Sequence, residues 1–144
     1  LRERVAALPR HGIGRGLKVS KEEIVALLVA LELFVSGTYD KQLDAYREWL
    51  QTIGQQLADC PVTCRLEQPA QAERWPLLEI TLGAGSPATA FEVCRRLREG
   101  EPPVHVGHGR LAAGKLVIDP SCLSEADVAP LADRLRAELL RAEA

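Results

Sequence analysis

A chain of 144 residues is long enough for one domain, or for one domain with an additional structural arm. Apolar residues make up 47% but aromatics only 4%, so the core must be built from Leu, Val, Ile and Ala, and the 26% charged fraction excludes global disorder. With 18 basic against 20 acidic residues the net charge is -2, which lacks the basic footprint that nucleic-acid binding demands.

The four cysteines, Cys60, Cys64, Cys94 and Cys122, show no paired C-x-x-C spacing. Structural zinc is therefore not expected, and buried reduced thiols are. No signal-peptide pattern is visible. The longest apolar run, residues 24–35, is interrupted by Glu32 and falls short of the roughly 20 residues that cross a bilayer. No membrane contact and a cytoplasmic location are expected. The sequence has no methionine and starts at Leu1, from which a fragment or a processed product is expected.

In chain order, residues 1–8 suit a short helix ended by Pro9. Gly12, Gly14 and Gly16 alternate through the next stretch, which favours irregular, close-approach backbone. Ser20 and Glu23 form an S-x-x-E capping box. The helix it opens carries Ile24, Val25, Leu27, Leu28, Val29, Leu31, Leu33, Phe34 and Val35 on nearly every face, so it must find a partner beyond a small domain. Ser36-Gly37 stops it. Thr38 is the expected N-cap of a second, amphipathic helix to about residue 58, with Leu43, Tyr46, Leu50, Ile53 and Leu57 inward.

After Pro61 the period changes to two. Val62, Cys64 and Leu66, then Leu78, Ile80 and Leu82, mark two half-buried strands. Ser86-Pro87 reads as the start of a helix to about Glu99, with Phe91, Cys94 and Leu97 on one face, Val93 beside it, and Arg95, Arg96 and Arg98 largely exposed. Residues 104–106 and 115–118 are the third and fourth expected strands. Ser124 and Asp127 cap a last helix with Val128, Leu131, Leu135 and Leu139 at helical spacing, and Pro130 falls in its first turns, where a missing amide costs little. The expected fold class is α+β: N-terminal helices, then a β-β-α-β-β-α small domain with a mostly antiparallel four-stranded sheet. The expected division is a glycine-rich approach segment over 1–20, connecting helices over 21–60 and the small domain over 61–144.

No nucleophile–histidine–acid constellation can be assembled from spacing, and no catalytic residue is assigned. His105 and His108 are a weak metal pair and fit a surface loop better. The stretch from His11 through Gly14 and Arg15 to Lys18 is the one segment with a chemical look. Glycines free backbone amides, Arg15 and Lys18 bring positive charge, and a helix N-terminus follows at Ser20. These features suit a substrate or cofactor anion; a flexible hinge with solvated cations explains them as well.

Residues 14–25, Gly-Arg-Gly-Leu-Lys-Val-Ser-Lys-Glu-Glu-Ile-Val, resemble the G-R-x-[ML]-K-[VI]-x-K-E-x-I segment of the selenocysteine synthase-like group of pyridoxal-phosphate enzymes. That group includes L-seryl-tRNA selenium transferase and D-glucosaminate-6-phosphate ammonia-lyase-like proteins. Residues 114–123 resemble its G-x-[LF]-x-[IL]-[DN]-P-x-x-L segment. The resemblance implies the C-terminal portion of an aspartate-aminotransferase-type enzyme: a connecting helix and the small domain. The large domain, with pyridoxal phosphate and its Schiff-base lysine, would lie upstream, so neither Lys18 nor Lys21 occupies that lysine's place and the chain alone is expected to be inactive. The resemblance implies that Arg15 and Lys18 hold anionic groups near the active site. Lys18 stands where selenium transferase-like members have Arg. It keeps the charge but loses the two-pronged fork, which fits the ammonia-lyase-like branch better.

The functional expectation is a fragment of a lyase or transferase acting on an amino acid or amino sugar acid, contributing to active-site closure and subunit contacts. Its expected partners are the missing large domain, further copies in a homo-oligomer and a small-molecule amino-acid substrate. The alternative is a free-standing α+β ligand-binding or oligomerisation module without catalytic activity.

Overall fold

The computed structural model describes residues 18–68 and 75–142. The chain divides into two compact units, Leu1–Tyr39 and Asp40–Ala144.

In the first unit, helix α1 spans Lys21–Val35. The capping box is formed: the Glu23 amide donates to Ser20 Oγ at 3.1 Å, and the Ser20 amide donates to the Glu23 carboxylate at 2.7 Å. Two first-turn amides are satisfied in this way. At the other end the Ser36 amide reaches Glu32 O, and Gly37 takes φ 68°, a left-handed conformation that costs glycine nothing. No residue of α1 is buried.

The second unit is a three-stranded antiparallel sheet with helices on one face. Helix α2, Thr38–Gln56, brings Tyr46, Leu50 and Ile53 into the core, and Leu57 follows in the turn beyond it. Strand β1 (Val62–Glu67) pairs with β2 (Leu77–Leu82) in the register Val62↔Leu82 to Glu67↔Leu77. Strand β3 (Lys115–Ile118) pairs with the other edge of β2, from Leu78↔Ile118 to Thr81↔Lys115. Helix α3 is Ala90–Glu99 and helix α4 is Glu125–Leu140. Leu50, Ile53, Ile80, Val93, Leu97, Leu116, Leu135 and Leu139 meet in one fully buried cluster. Each such side chain stabilises the fold by about 1.5–3 kcal/mol relative to exposure.

The expected fourth strand does not form among the described residues. Pro102 and Pro103 carry no amide, and the Val104 amide donates back to Leu97 O at 2.8 Å instead of entering a ladder. The segment meets β3 only at an isolated bridge, Gly107↔Val117. The α3 start also differs. Thr89, not Ser86, is its N-cap, and Thr89 with Glu92 forms the capping box. Ala90, Val93 and Leu97, spaced three and four residues apart, face the core, and Phe91 stays exposed. The thiols divide as well: Cys60 is buried, Cys64 and Cys94 are half-buried, and Cys122 is exposed.

Candidate functional site

Three of the four residues singled out in the sequence, His11, Gly14 and Arg15, lie outside the described residues. Lys18 is described: it is exposed and stands two positions ahead of the Ser20 cap of α1. The dipole of a fifteen-residue helix and its Ser20–Glu23 box thus follow this cation directly. The Glu23 carboxylate already takes the Ser20 amide, so one amide of the first turn is occupied from within the chain.

In the second unit the sheet face turned away from the helices carries an ion network that the sequence reading missed. Glu79, buried on β2, accepts from Lys115 Nζ at 2.8 Å and from Arg110 Nη1 at 2.5 Å. Arg110 Nη1 also donates to Glu67 on β1 at 2.9 Å. The Lys115 hydrogen bond, and after it the Arg110 bond, hold the Glu79 carboxyl below the usual carboxylate range. Such a group stays ionised and ties three elements together; it is no general acid. The signal was present in the alternation of β2, where Glu79 sits between Leu78 and Ile80. Its partners were not, because Arg110 and Lys115 are 31 and 36 residues away.

Two hollows flank the extended segment before β3. One, of about 500 Å³, lies between α3 and that segment and is lined by Phe91, Arg95, Arg98, His105 and His108 among others. The other, of about 890 Å³, lies between the segment and the start of α4; its walls include Val104, Ile118, Leu123 and Leu131, with Asp119, Asp127 and the Cys122 residue alongside. His105 and His108 are both exposed, as a surface loop requires. Among the described residues no three His, Cys, Asp or Glu side chains gather as a metal site. The Cys60 and Cys64 thiols are pushed up by burial, which makes them poor nucleophiles. No helix of the described residues is long and apolar enough to cross a membrane.

The described lysines offer no enclosed amine. Lys18, Lys21 and Lys41 are exposed, and Lys115 is held by Glu79 on the polar sheet face. A Schiff-base cofactor therefore does not fit the described part of this chain.

No family model matches the chain, and no curated protein matches it. Among solved structures it is similar to that of D-glucosaminate-6-phosphate ammonia-lyase, with 25% sequence identity and a TM-score of 0.61. The match covers 89% of this chain and 34% of that one, so the chain spans about a third of the length of the solved protein. The resemblance read from residues 14–25 and 114–123 leads to the same kind of protein and is borne out.

Proposed function

We propose that this chain is the C-terminal portion of a pyridoxal-phosphate lyase or transferase acting on an amino acid or amino sugar acid, and that it helps close the active site and carries subunit contacts. The observation that carries the reading is the likeness to D-glucosaminate-6-phosphate ammonia-lyase over 89% of this chain but 34% of that one. The Gly14–Lys18 motif points independently to the same group of enzymes. Pyridoxal phosphate, where such an enzyme holds it, serves as the electron sink for the bonds at the amino-bearing carbon. No described lysine of this chain suits its attachment, so the reading assigns it to an upstream large domain.

Within this reading Arg15 and Lys18, with the backbone at Gly14 and the side chain of His11, hold an anionic group of substrate or cofactor. Arg15 grips it with a fork and Lys18 as a point charge. Catalysis belongs to the partner domain. Exposed apolar residues along α1 favour contact with that domain or with a second copy of the chain.

The test has two parts. The coding sequence upstream of Leu1 is expected to specify a large α/β domain with a cofactor lysine. The isolated chain mixed with pyridoxal phosphate is expected to show no visible absorbance of an internal aldimine. A start codon immediately before Leu1 refutes the reading, and so does borohydride-trappable labelling of one lysine in this chain with turnover of an amino acid.

A further inference from the structure

The C-terminal turns of α3 and α4 meet at a cluster of arginines outside the site described above. Glu138 on α4 has a side chain only 3% exposed. It lies 3.3 Å from Arg96 Nε, 3.1 Å from Arg134 Nη2 and 3.7 Å from Arg141 Nη1. Arg96 Nη2 also donates to Glu138 O at 3.2 Å, and Arg134 Nη2 to Arg96 O at 3.4 Å. One carboxylate thus faces three guanidinium groups. The Arg96 side chain, expected to be solvated, is only 14% exposed.

This is more cation and more donor than the helix contact requires. Three guanidinium groups carry about fifteen N–H donors. The buried Nε atoms of Arg96 and Arg134 have no hydrogen-bond partner among the described residues, and neither does Glu138 Oε2, which faces Arg96 Nε at 3.3 Å. Each helix C-terminus contributes roughly half a negative charge. Set against three arginines and one glutamate, about one positive charge is left over. A latch between α3 and α4 needs one arginine for Glu138 and one for the carbonyl ends. It does not need the third.

Arg96, Arg134 and Arg141 line a hollow of about 300 Å³ together with Arg95, Glu99 and Gly100. Arg95 and Glu99 pair with each other at 3.4 Å and add no net charge. Gly100 shapes the floor: a Cβ there would stand 1.7 Å from Arg134 Nη2, so the guanidinium rests directly against the glycine backbone. Planar forks held on a rigid backbone suit a tetrahedral oxyanion with several acceptor oxygens.

We propose that this cluster is a binding site for a phosphate dianion, either inorganic phosphate or the phosphate of a monoester. The site belongs to the second unit alone and is independent of the enzyme reading above. Isothermal titration of the 144-residue chain tests it in three arms: inorganic phosphate, phosphoserine as a monoester, and chloride at matched ionic strength. Saturable binding is expected in at least one phosphate arm and not with chloride. Binding in both assigns recognition to the phosphate group alone; binding in one identifies the source. Arg141→Gln, at a largely exposed side chain, is expected to weaken binding at least ten-fold with an unchanged far-ultraviolet circular dichroism spectrum. Gly100→Ala, which displaces the Arg134 guanidinium, should also weaken it, while Arg47→Gln on α2 should not. No saturable phosphate binding by the unaltered chain overturns the proposal, as does wild-type affinity in both Arg141→Gln and Gly100→Ala.

Discussion

The apolar surface of α1 can be tested by one charge. Leu28, Leu31 and Val35 share a face at i, i+3 and i+7, and they are 59%, 50% and 82% exposed. Complete burial of such a side chain stabilises by about 1.5–3 kcal/mol, so covering the exposed half yields roughly 1–1.5 kcal/mol each and about 3–4 kcal/mol for the three. Leu28→Asp removes one of these contributions and forces a carboxylate into the contact, which costs at least another 1–2 kcal/mol without a partner. At about 1.4 kcal/mol per factor of ten, association should weaken about a hundred-fold. Because Leu28 is not part of the core of its own unit, the substitution should leave the unfolding transition of the isolated chain in place. Sedimentation velocity over a concentration series is the assay: the unaltered chain should self-associate and Leu28→Asp should sediment as a monomer. Equal association of the two, or a monomeric unaltered chain at every concentration, refutes the reasoning. A large loss of thermal stability in Leu28→Asp also refutes it, because it would show Leu28 to be a core residue.

Two further outcomes follow from the second unit. Thr89→Ala removes the N-cap of α3 and its reciprocal bond with Glu92 and should lower the stability to urea by about 1 kcal/mol, whereas Ser86→Ala should cost less, because Ser86 Oγ reaches only Ala88 O. Equal costs at the two positions would show that the helix begins near Ser86 after all. Glu79 has a depressed folded-state pKa, so its contribution is fully present above the unfolded carboxyl value and is lost as pH falls through the folded one. The stability difference between the unaltered chain and Glu79→Gln, measured by urea unfolding, should therefore be largest near neutral pH and shrink in acid; a difference independent of pH between 7 and 3 would remove the ionised network.

Local periodicity carried most of the fold. The capping boxes at Ser20 and Ser124 and the switch to period two at Pro61 depend on residues three or fewer apart, and all appear where the sequence puts them. The misreadings arose where a strong local signal competed with a tertiary one. Pro87 drew the start of α3 forward, although Thr89 and Glu92 spelled the better cap. The face of α3 that packs inward is Ala90, Val93 and Leu97, and Phe91 lies one position off it. Alternation in residues 104–106 suggested a strand, but the two preceding prolines and the Leu97 carbonyl took the backbone elsewhere.

Charge was the least legible layer, and for a physical reason. Glu79, Arg110 and Lys115 look like ordinary surface residues until strand register brings them together, and Arg96 meets Glu138 only because α3 and α4 pack with their C-terminal turns adjacent. Sequence spacing cannot supply either relation. The anomaly of α1 is different in kind. Its composition could not be satisfied within a small unit, and the structure leaves it with no buried residue. A helix apolar on nearly every face, joined to a unit whose core already closes without it, is stable only where something else covers it. The self-association assay asks whether a second copy of the chain supplies that cover.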